Sequence, residues 1–153
     1  MVAGDHEGDR PLDPSQGVDV RPRLHHVGYV VASMAGGIRR FSDNGGVLVV
    51  GPTEDPLLGV VCALIRLPEG VDIELVAPLP GAESPITARL SRGGGLDHLC
   101  FWVEDLDAAL ARELAADAVL LVPPTHAVTF DSTVAFVHRR SGLVVELMGS
   151  RRS

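Results

Sequence analysis

Apolar residues fall along this chain in short runs separated by turn-forming residues, and the runs recur in one order. Leu24-His25-His26-Val27-Gly28-Tyr29-Val30-Val31 is rich in Val and aromatic residues and predicts a strand. Ser33 can cap a short helix over Met34 to Phe41, although Gly36-Gly37 weakens it. Asp43-Asn44-Gly45-Gly46 predicts a turn, Val47 to Val50 a short strand, and Pro52 to Pro56 a loop. Leu58 to Leu67 and Val71 to Val76 predict two strands joined by a hairpin turn at Pro68-Glu69-Gly70. The order is β-α-β-β-β.

After a connector the order repeats. Pro78, Pro80 and Gly81 open the connector, Gly93-Gly94-Gly95 closes it, and Ser84-Pro85 predicts the start of a helix ending at Leu90 or Ser91. Leu96 to Val103 then predicts a strand. Asp105 caps a helix whose residues Leu106, Ala109, Leu110 and Leu114 fall at helical spacing. Val119 to Val122 predicts a strand, Pro123 to His126 a loop, Thr133 to His138 a strand, and Ser141-Gly142 the turn into Leu143 to Met148. The predicted organisation is therefore one domain over 24–148, with module one at 24–77, the connector at 78–94 and module two at 95–148. Segment 1–23 is polar and carries three prolines; it cannot bury enough apolar surface to offset its ordering entropy and predicts a mobile tail. Residues 149–153 predict a fraying end.

The repeat carries chemistry. His26 and His98 each stand third in the first strand of a module, and Glu74 and Glu146 each lie inside the last strand. Both histidine-to-glutamate spacings are the same (74 − 26 = 48; 146 − 98 = 48), and the modules are offset by 98 − 26 = 72. An ionisable residue among Val, Ile and Leu is costly to bury unless it is paired or bound to a metal. Alternate strand residues share a face, so if the modules pair about a pseudo-twofold axis, their strands form one curved sheet and the four side chains converge. Two imidazoles and two carboxylates suit one divalent ion such as Co, Mn, Ni, Zn or Fe.

Composition narrows the rest. With 46% apolar and 22% charged residues, the 153-residue chain reads as a soluble globular protein. A formal charge of −7 argues against nucleic acid, and the chain has no apolar run long enough to span a membrane. Cys62 and Cys100 sit in β-like runs and read as buried free thiols, consistent with a cytoplasmic location.

The two β-α-β-β-β modules, each giving a His on its first strand and an acid on its last, resemble the vicinal oxygen chelate superfamily. Within it, the chain is most similar to methylmalonyl-CoA epimerase-like proteins. The matching stretches are Leu24-His25-His26-Val27-Gly28, Ile73-Glu74-Leu75-Val76-Ala77-Pro78-Leu79, Ser84-Pro85-Ile86, Gly95-Leu96-Asp97-His98-Leu99-Cys100-Phe101, Phe136-Val137-His138 and Gly142-Leu143-Val144-Val145-Glu146-Leu147. The resemblance implies an α+β fold with a curved, barrel-like mixed sheet and helices outside. It also implies homodimers, and metal ligation by His26, Glu74, His98 and Glu146. Some epimerases carry a glutamate acid/base on the strand before the second ligand; Cys62 stands there in this chain.

The implied activity is that of a metal-dependent isomerase, epimerase or lyase, in which a proton leaves a carbon beside a chelated carbonyl. Glu146 or Glu74 is the expected base, and His126 is a further acid/base candidate. Cys62, Trp102 and Arg139 are candidate substrate-binding residues. The resemblance points to an acyl-CoA substrate; a polyketide-like or aromatic dicarbonyl in a biosynthetic pathway is the alternative within the enzyme class. A binding module of the bleomycin-resistance type is the competing class, and the complete ligand set counts against it.

Overall fold

The computed structural model describes residues 21–150. The first module comprises β1 (Arg23–Val30), α1 (Met34–Ser42), β2 (Val47–Asp55), β3 (Val60–Arg66) and β4 (Asp72–Pro78). A short connector helix, α2 (Thr87–Ser91), leads to β5 (Gly95–Val103), α3 (Leu106–Ala115), β6 (Val119–Ala127), β7 (Ser132–His138) and β8 (Val144–Gly149). Adding 72 to the bounds of β2 and β3 gives those of β6 and β7, residue for residue. The sequence repeat is thus a structural repeat.

All eight strands form one sheet in the order β2-β3-β4-β1-β5-β8-β7-β6. Each module contributes four neighbouring strands. Within a module the first strand runs parallel to the last (β1 with β4, β5 with β8), and β1 and β5 pair antiparallel at the centre. The sheet is mixed and curled into a half-barrel, the expected α+β architecture, with its strand order mirrored about the β1–β5 seam.

One face of the sheet takes the two longer helices; the connector helix α2, expected outside with them, instead packs Leu90 on the opposite, cavity face, beside Val30, Val60, Cys62, Val76 and Ile86. α1 packs Met34, Ile38 and Phe41 onto Ile65, Ile73, Leu75 and Ala77. α3 packs Leu106, Ala109 and Leu110 onto Ala135, Val137, Val145 and Leu147. The caps are those the sequence predicts: the Ser33 hydroxyl accepts from Gly36 N at 3.2 Å and the Asp105 carboxylate from Ala108 N at 2.9 Å. The weakness of α1 has a packing cause. A Cβ on Gly37 would lie 3.0 Å from Val31 Cγ1 and 3.3 Å from Leu75 Cδ1, so the bare glycine lets the helix approach the sheet. That closeness offsets the loss of about 1 kcal/mol of helix propensity.

Several boundaries differ from expectation. The loops expected at Pro52–Pro56 and Pro123–His126 instead belong to the second halves of β2 and β6, except that Pro56 stands in the turn just after β2. Both are edge strands, where a proline's missing N–H can face away from the sheet, and both pairings shift register around the prolines. The connector helix begins at Thr87, not at Ser84-Pro85; Ser84 instead forms the turn before it, its carbonyl accepting from Thr87 N at 3.3 Å. Gly149 and Ser150, expected within a fraying end, are held in place. Gly149 is paired in β8, and the Ser150 carbonyl accepts from Leu106 N at 3.1 Å, so the C-terminal segment caps α3. Most of the tail expected over 1–23, and the last three residues, lie outside the described residues. No described helix is long and apolar enough to cross a membrane.

Candidate metal centre

Four central strands aim one ionisable side chain each into the concave face. His26 comes from β1 and His98 from β5, whose antiparallel register sets Gly28 opposite His98 and Cys100 opposite His26. The parallel neighbours bring Glu74 beside Gly28 and Glu146 beside Cys100. His26, Glu74, His98 and Glu146 are each at most 5% exposed. His26 Nε2 lies 3.2 Å from Glu74 Oε2 and 3.1 Å from Glu146 Oε2; His98 Nε2 lies 3.3 and 3.1 Å from the same two atoms. Nitrogen and oxygen therefore alternate around one small ring.

These residues fit a divalent cation. Ligand atoms about 2.1 Å from an ion stand roughly 3.0–3.4 Å apart at the edges of an octahedron or tetrahedron. The four contacts fall in that range, and all four atoms lie within 4.8 Å of one another. His98 Nε2 is buried and lies against both carboxylates, yet makes no hydrogen bond of proper geometry with either, the arrangement of ligand atoms that share an ion more than of a donor and its acceptor.

The electrostatics are those of a mutually neutralising cluster. Burial opposes charge on His26, but the carboxylates of Glu74 and Glu146 outweigh it and raise the imidazole to about 9. His98 is likewise raised against burial, by Asp97, Glu146 and Glu74. Burial alone would raise both glutamates; the two imidazoles instead hold them below the usual carboxylate range. Burial pushes the thiols of Cys62 and Cys100 up, and the neighbouring glutamates push them further. Neither sulfur is a thiolate at neutral pH.

A cavity of ≈ 130 Å³ opens beside the cluster, and Glu74, His98, Glu146, Cys62, Thr129 and Phe136 are among its lining residues. It has room for a small acyl group. The Thr129 hydroxyl is buried against it, with the Cys62 thiol beside it and no nitrogen or oxygen partner.

Of the other residues singled out, only Cys62 reaches this space. His126 is half exposed at the end of β6, its Nε2 3.5 Å from Asp131 Oδ1, and does not line the cavity. Arg139 forks onto Glu113 of α3, its Nε 2.9 Å from Glu113 Oε2, on the helix side of the sheet. Trp102 packs with Cys100, Val134 and Met148 as wall, away from the cavity lining. None of His126, Arg139 and Trp102 is thus among the residues that line this cavity.

Three residues carry structure that the sequence reading passed over. The Phe130 ring stacks on His26, with centroids 5.0 Å apart and planes 19° apart. Asp55, 1% exposed, accepts from Leu57 N and Leu58 N at 3.1 Å and from Val128 N at 2.9 Å. It thereby ties the end of β2 to the 3-10 turn Val128–Phe130 that carries Thr129 and Phe130. Gly28 makes room for His98, and here a signal existed, because glycine inside a strand often marks the close approach of another group.

Comparison with known proteins agrees with this geometry. Residues 25–136 match the family model described as the glyoxalase/bleomycin resistance protein/dioxygenase superfamily. The chain is 34% identical over 130 residues to an ethylmalonyl-CoA/methylmalonyl-CoA epimerase of Cereibacter sphaeroides, covering 82% of this chain and 96% of that one. It is 30% identical to a mitochondrial methylmalonyl-CoA epimerase of Dictyostelium discoideum, covering 82% of this chain and 76% of the relative. Among solved structures, a methylmalonyl-CoA epimerase from Mycobacterium tuberculosis superposes with a TM-score of 0.71 at 30% identity, covering 84% of this chain and 88% of that one. The chain belongs to the glyoxalase/bleomycin resistance protein/dioxygenase superfamily, and its relatives there include acyl-CoA epimerases.

Proposed function

We propose that this protein is an acyl-CoA epimerase that uses one divalent cation held by His26, Glu74, His98 and Glu146. The observation that carries the reading is the convergence of these four buried side chains beside a cavity, in a chain similar to methylmalonyl-CoA epimerases. When bound, the cation would supply Lewis acidity toward a substrate carbonyl and so ease loss of the neighbouring C–H proton.

The chain's own residues divide the remaining work. β3 carries no carboxylate, and of the cavity's other acids Asp55 is taken up by backbone N–H groups and Asp97 by His98 Nδ1, which leaves the cage to supply the proton acceptor. Glu146 or Glu74 is the acceptor: both line the cavity, and His26 and His98 hold both carboxylates ionised; the test is made on Glu146. The neutral Cys62 thiol and the Thr129 hydroxyl face the same space and can donate hydrogen bonds to a substrate oxygen. Val60, Val76 and Ile86 give the apolar wall that excludes water from the reacting carbon.

Protein purified without chelator should contain about one divalent ion per chain and should exchange the α-proton of methylmalonyl-CoA with D2O. Glu146→Gln should abolish that exchange with the fold intact. An ion content far below one per chain sinks the metal-dependent reading, and undiminished exchange in the variant removes Glu146 from the base role. A polyketide-like dicarbonyl substrate draws no support from the relatives, and the complete ligand set weighs against a metal-free binding module.

Pairing of two chains belongs to the same reading. Val47, Leu48 and Val49 on edge strand β2, and Val119, Leu120 and Leu121 on edge strand β6, are exposed apolar residues at equivalent repeat positions. Sedimentation should show a dimer that Val49→Lys with Leu121→Lys converts to monomer.

A further inference from the structure

Both cage histidines present Nε2 to the carboxylates and turn Nδ1 toward the residue just before them. His26 Nδ1 lies 2.9 Å from His25 Nδ1, and His98 Nδ1 lies 2.9 Å from Asp97 Oδ2. The two partners obey the repeat offset (97 − 25 = 72) but differ in chemistry.

Neighbours on a regular strand point to opposite faces and do not meet in this way. The central seam shows how they do. Along β1 and β5, Leu24 pairs with Phe101 and the next pair is His26 with Cys100, so His25 is an extra residue on β1. Further along, Gly28 pairs with His98 and the next pair is Tyr29 with Leu96, so Asp97 is an extra residue on β5. The partner of each histidine is thus the unpaired residue of a β-bulge, and the two bulges are related by the repeat. A bulge bends the strand and re-aims one side chain. Here it swings the residue before the ligand back onto the ligand's own ring.

We propose that His25 and Asp97 are positioning residues, delivered by these paired bulges, that fix which nitrogen His26 and His98 offer to a cation. A neutral imidazole that keeps its Nε2 lone pair free must carry its proton on Nδ1, and that proton needs an acceptor. Asp97 accepts it through a carboxylate, which makes His98 the more basic ligand. His25 accepts it through its own Nδ1, leaving its hydrogen on Nε2, and gives His26 orientation without added negative charge. The two halves of the cage are therefore alike in geometry and unequal in donor strength. Asp97 is itself steadied from the connector helix, where Arg89 Nε lies 3.8 Å from Asp97 Oδ1. Phe130 meets the His25 ring edge-on, with centroids 5.5 Å apart.

This inference rests on the cage holding a metal, and Zn²⁺ titration of the full, chelator-treated chain separates the two. His25→Phe and Asp97→Leu remove the acceptors; His25→Gln and Asp97→Asn keep one oxygen to receive the proton. Zn²⁺ affinity should fall about 10- to 100-fold in Phe and Leu variants, with most of that loss recovered in Gln and Asn. Imidazole ¹⁵N spectra of the Zn²⁺-loaded parent should show protonated Nδ1 on both His26 and His98. His25→Phe should disturb the His26 signals alone, and Asp97→Leu the His98 signals alone. A parent that binds Zn²⁺ while all four variants bind within twofold of it overturns this inference and leaves the cage reading standing. So does equal loss in the conservative and non-conservative variants. A parent that takes up no Zn²⁺ overturns both.

Discussion

The imidazole of His98 lies directly on the bare Cα of Gly28. A Cβ built at that glycine would stand 2.1 Å from His98 Cε1 and 2.3 Å from Nδ1, deep inside van der Waals contact. The two residues are cross-strand partners at the centre of the sheet, so the smallest residue on β1 determines where the His98 ring of β5 can sit. Gly28→Ala should therefore expel His98 from the cage, weaken Zn²⁺ binding by at least tenfold, and destabilise the fold by about 1–3 kcal/mol through overpacking. Calorimetric titration and a thermal melt check both. Unchanged Zn²⁺ binding would show that the ring can shift without leaving.

The cage sets a pH dependence whose sign follows from its shifts. His26 is raised from 6.5 to about 9 on folding, so the stability it contributes is fully present below about 6.5 and lost as pH rises through about 9. Glu74 and Glu146 are depressed from 4.5, so their contribution is present above that value and lost as pH falls below it. Chelator-treated protein should accordingly melt at lower temperature as pH increases from 6.5 to 9. Added Zn²⁺ should abolish that decline, because the cation takes the protons' place on neutral imidazoles and is favoured by higher pH. A melting temperature that climbs over the same interval in chelator-treated protein would contradict the mutual neutralisation of the four groups.

Cys62 lines the cavity, yet burial and Glu74 hold its thiol protonated. Cys62→Ser keeps a hydrogen-bond donor of similar size. It should leave α-proton exchange within about threefold of the parent, a change worth under 1 kcal/mol. A loss of several hundredfold would make the sulfur a proton carrier.

Asp55 holds three backbone N–H groups and joins the edge of module one to the turn bearing Thr129 and Phe130. Asp55→Ala leaves those donors without their acceptor and should cost about 2–4 kcal/mol. Urea unfolding measures it, and a cost below 0.5 kcal/mol would mean that water replaces the carboxylate without loss.

The sequence by itself determined the repeat, and the repeat determined much. Because strand side chains alternate with a fixed period, a common spacing from His26 to Glu74 and from His98 to Glu146 places four ionisable groups at equivalent positions and on one face. That is local information, and it names the cage residues without any coordinates. The edge strands were half legible: Pro52 and Pro123-Pro124 read as loop residues, since only the position of β2 and β6 at the sheet's rim makes a missing N–H harmless. What only the tertiary structure decided are contacts between elements far apart in the chain. The stack of Phe130 on His26, the clasp of Asp55 on Val128 and the seat of His98 on Gly28 depend on which strands become neighbours and in what register. The bulges at His25 and Asp97 belong to the same class. A bulge is a mismatch between two strands, and a single strand's sequence carries no record of the partner against which it is out of step.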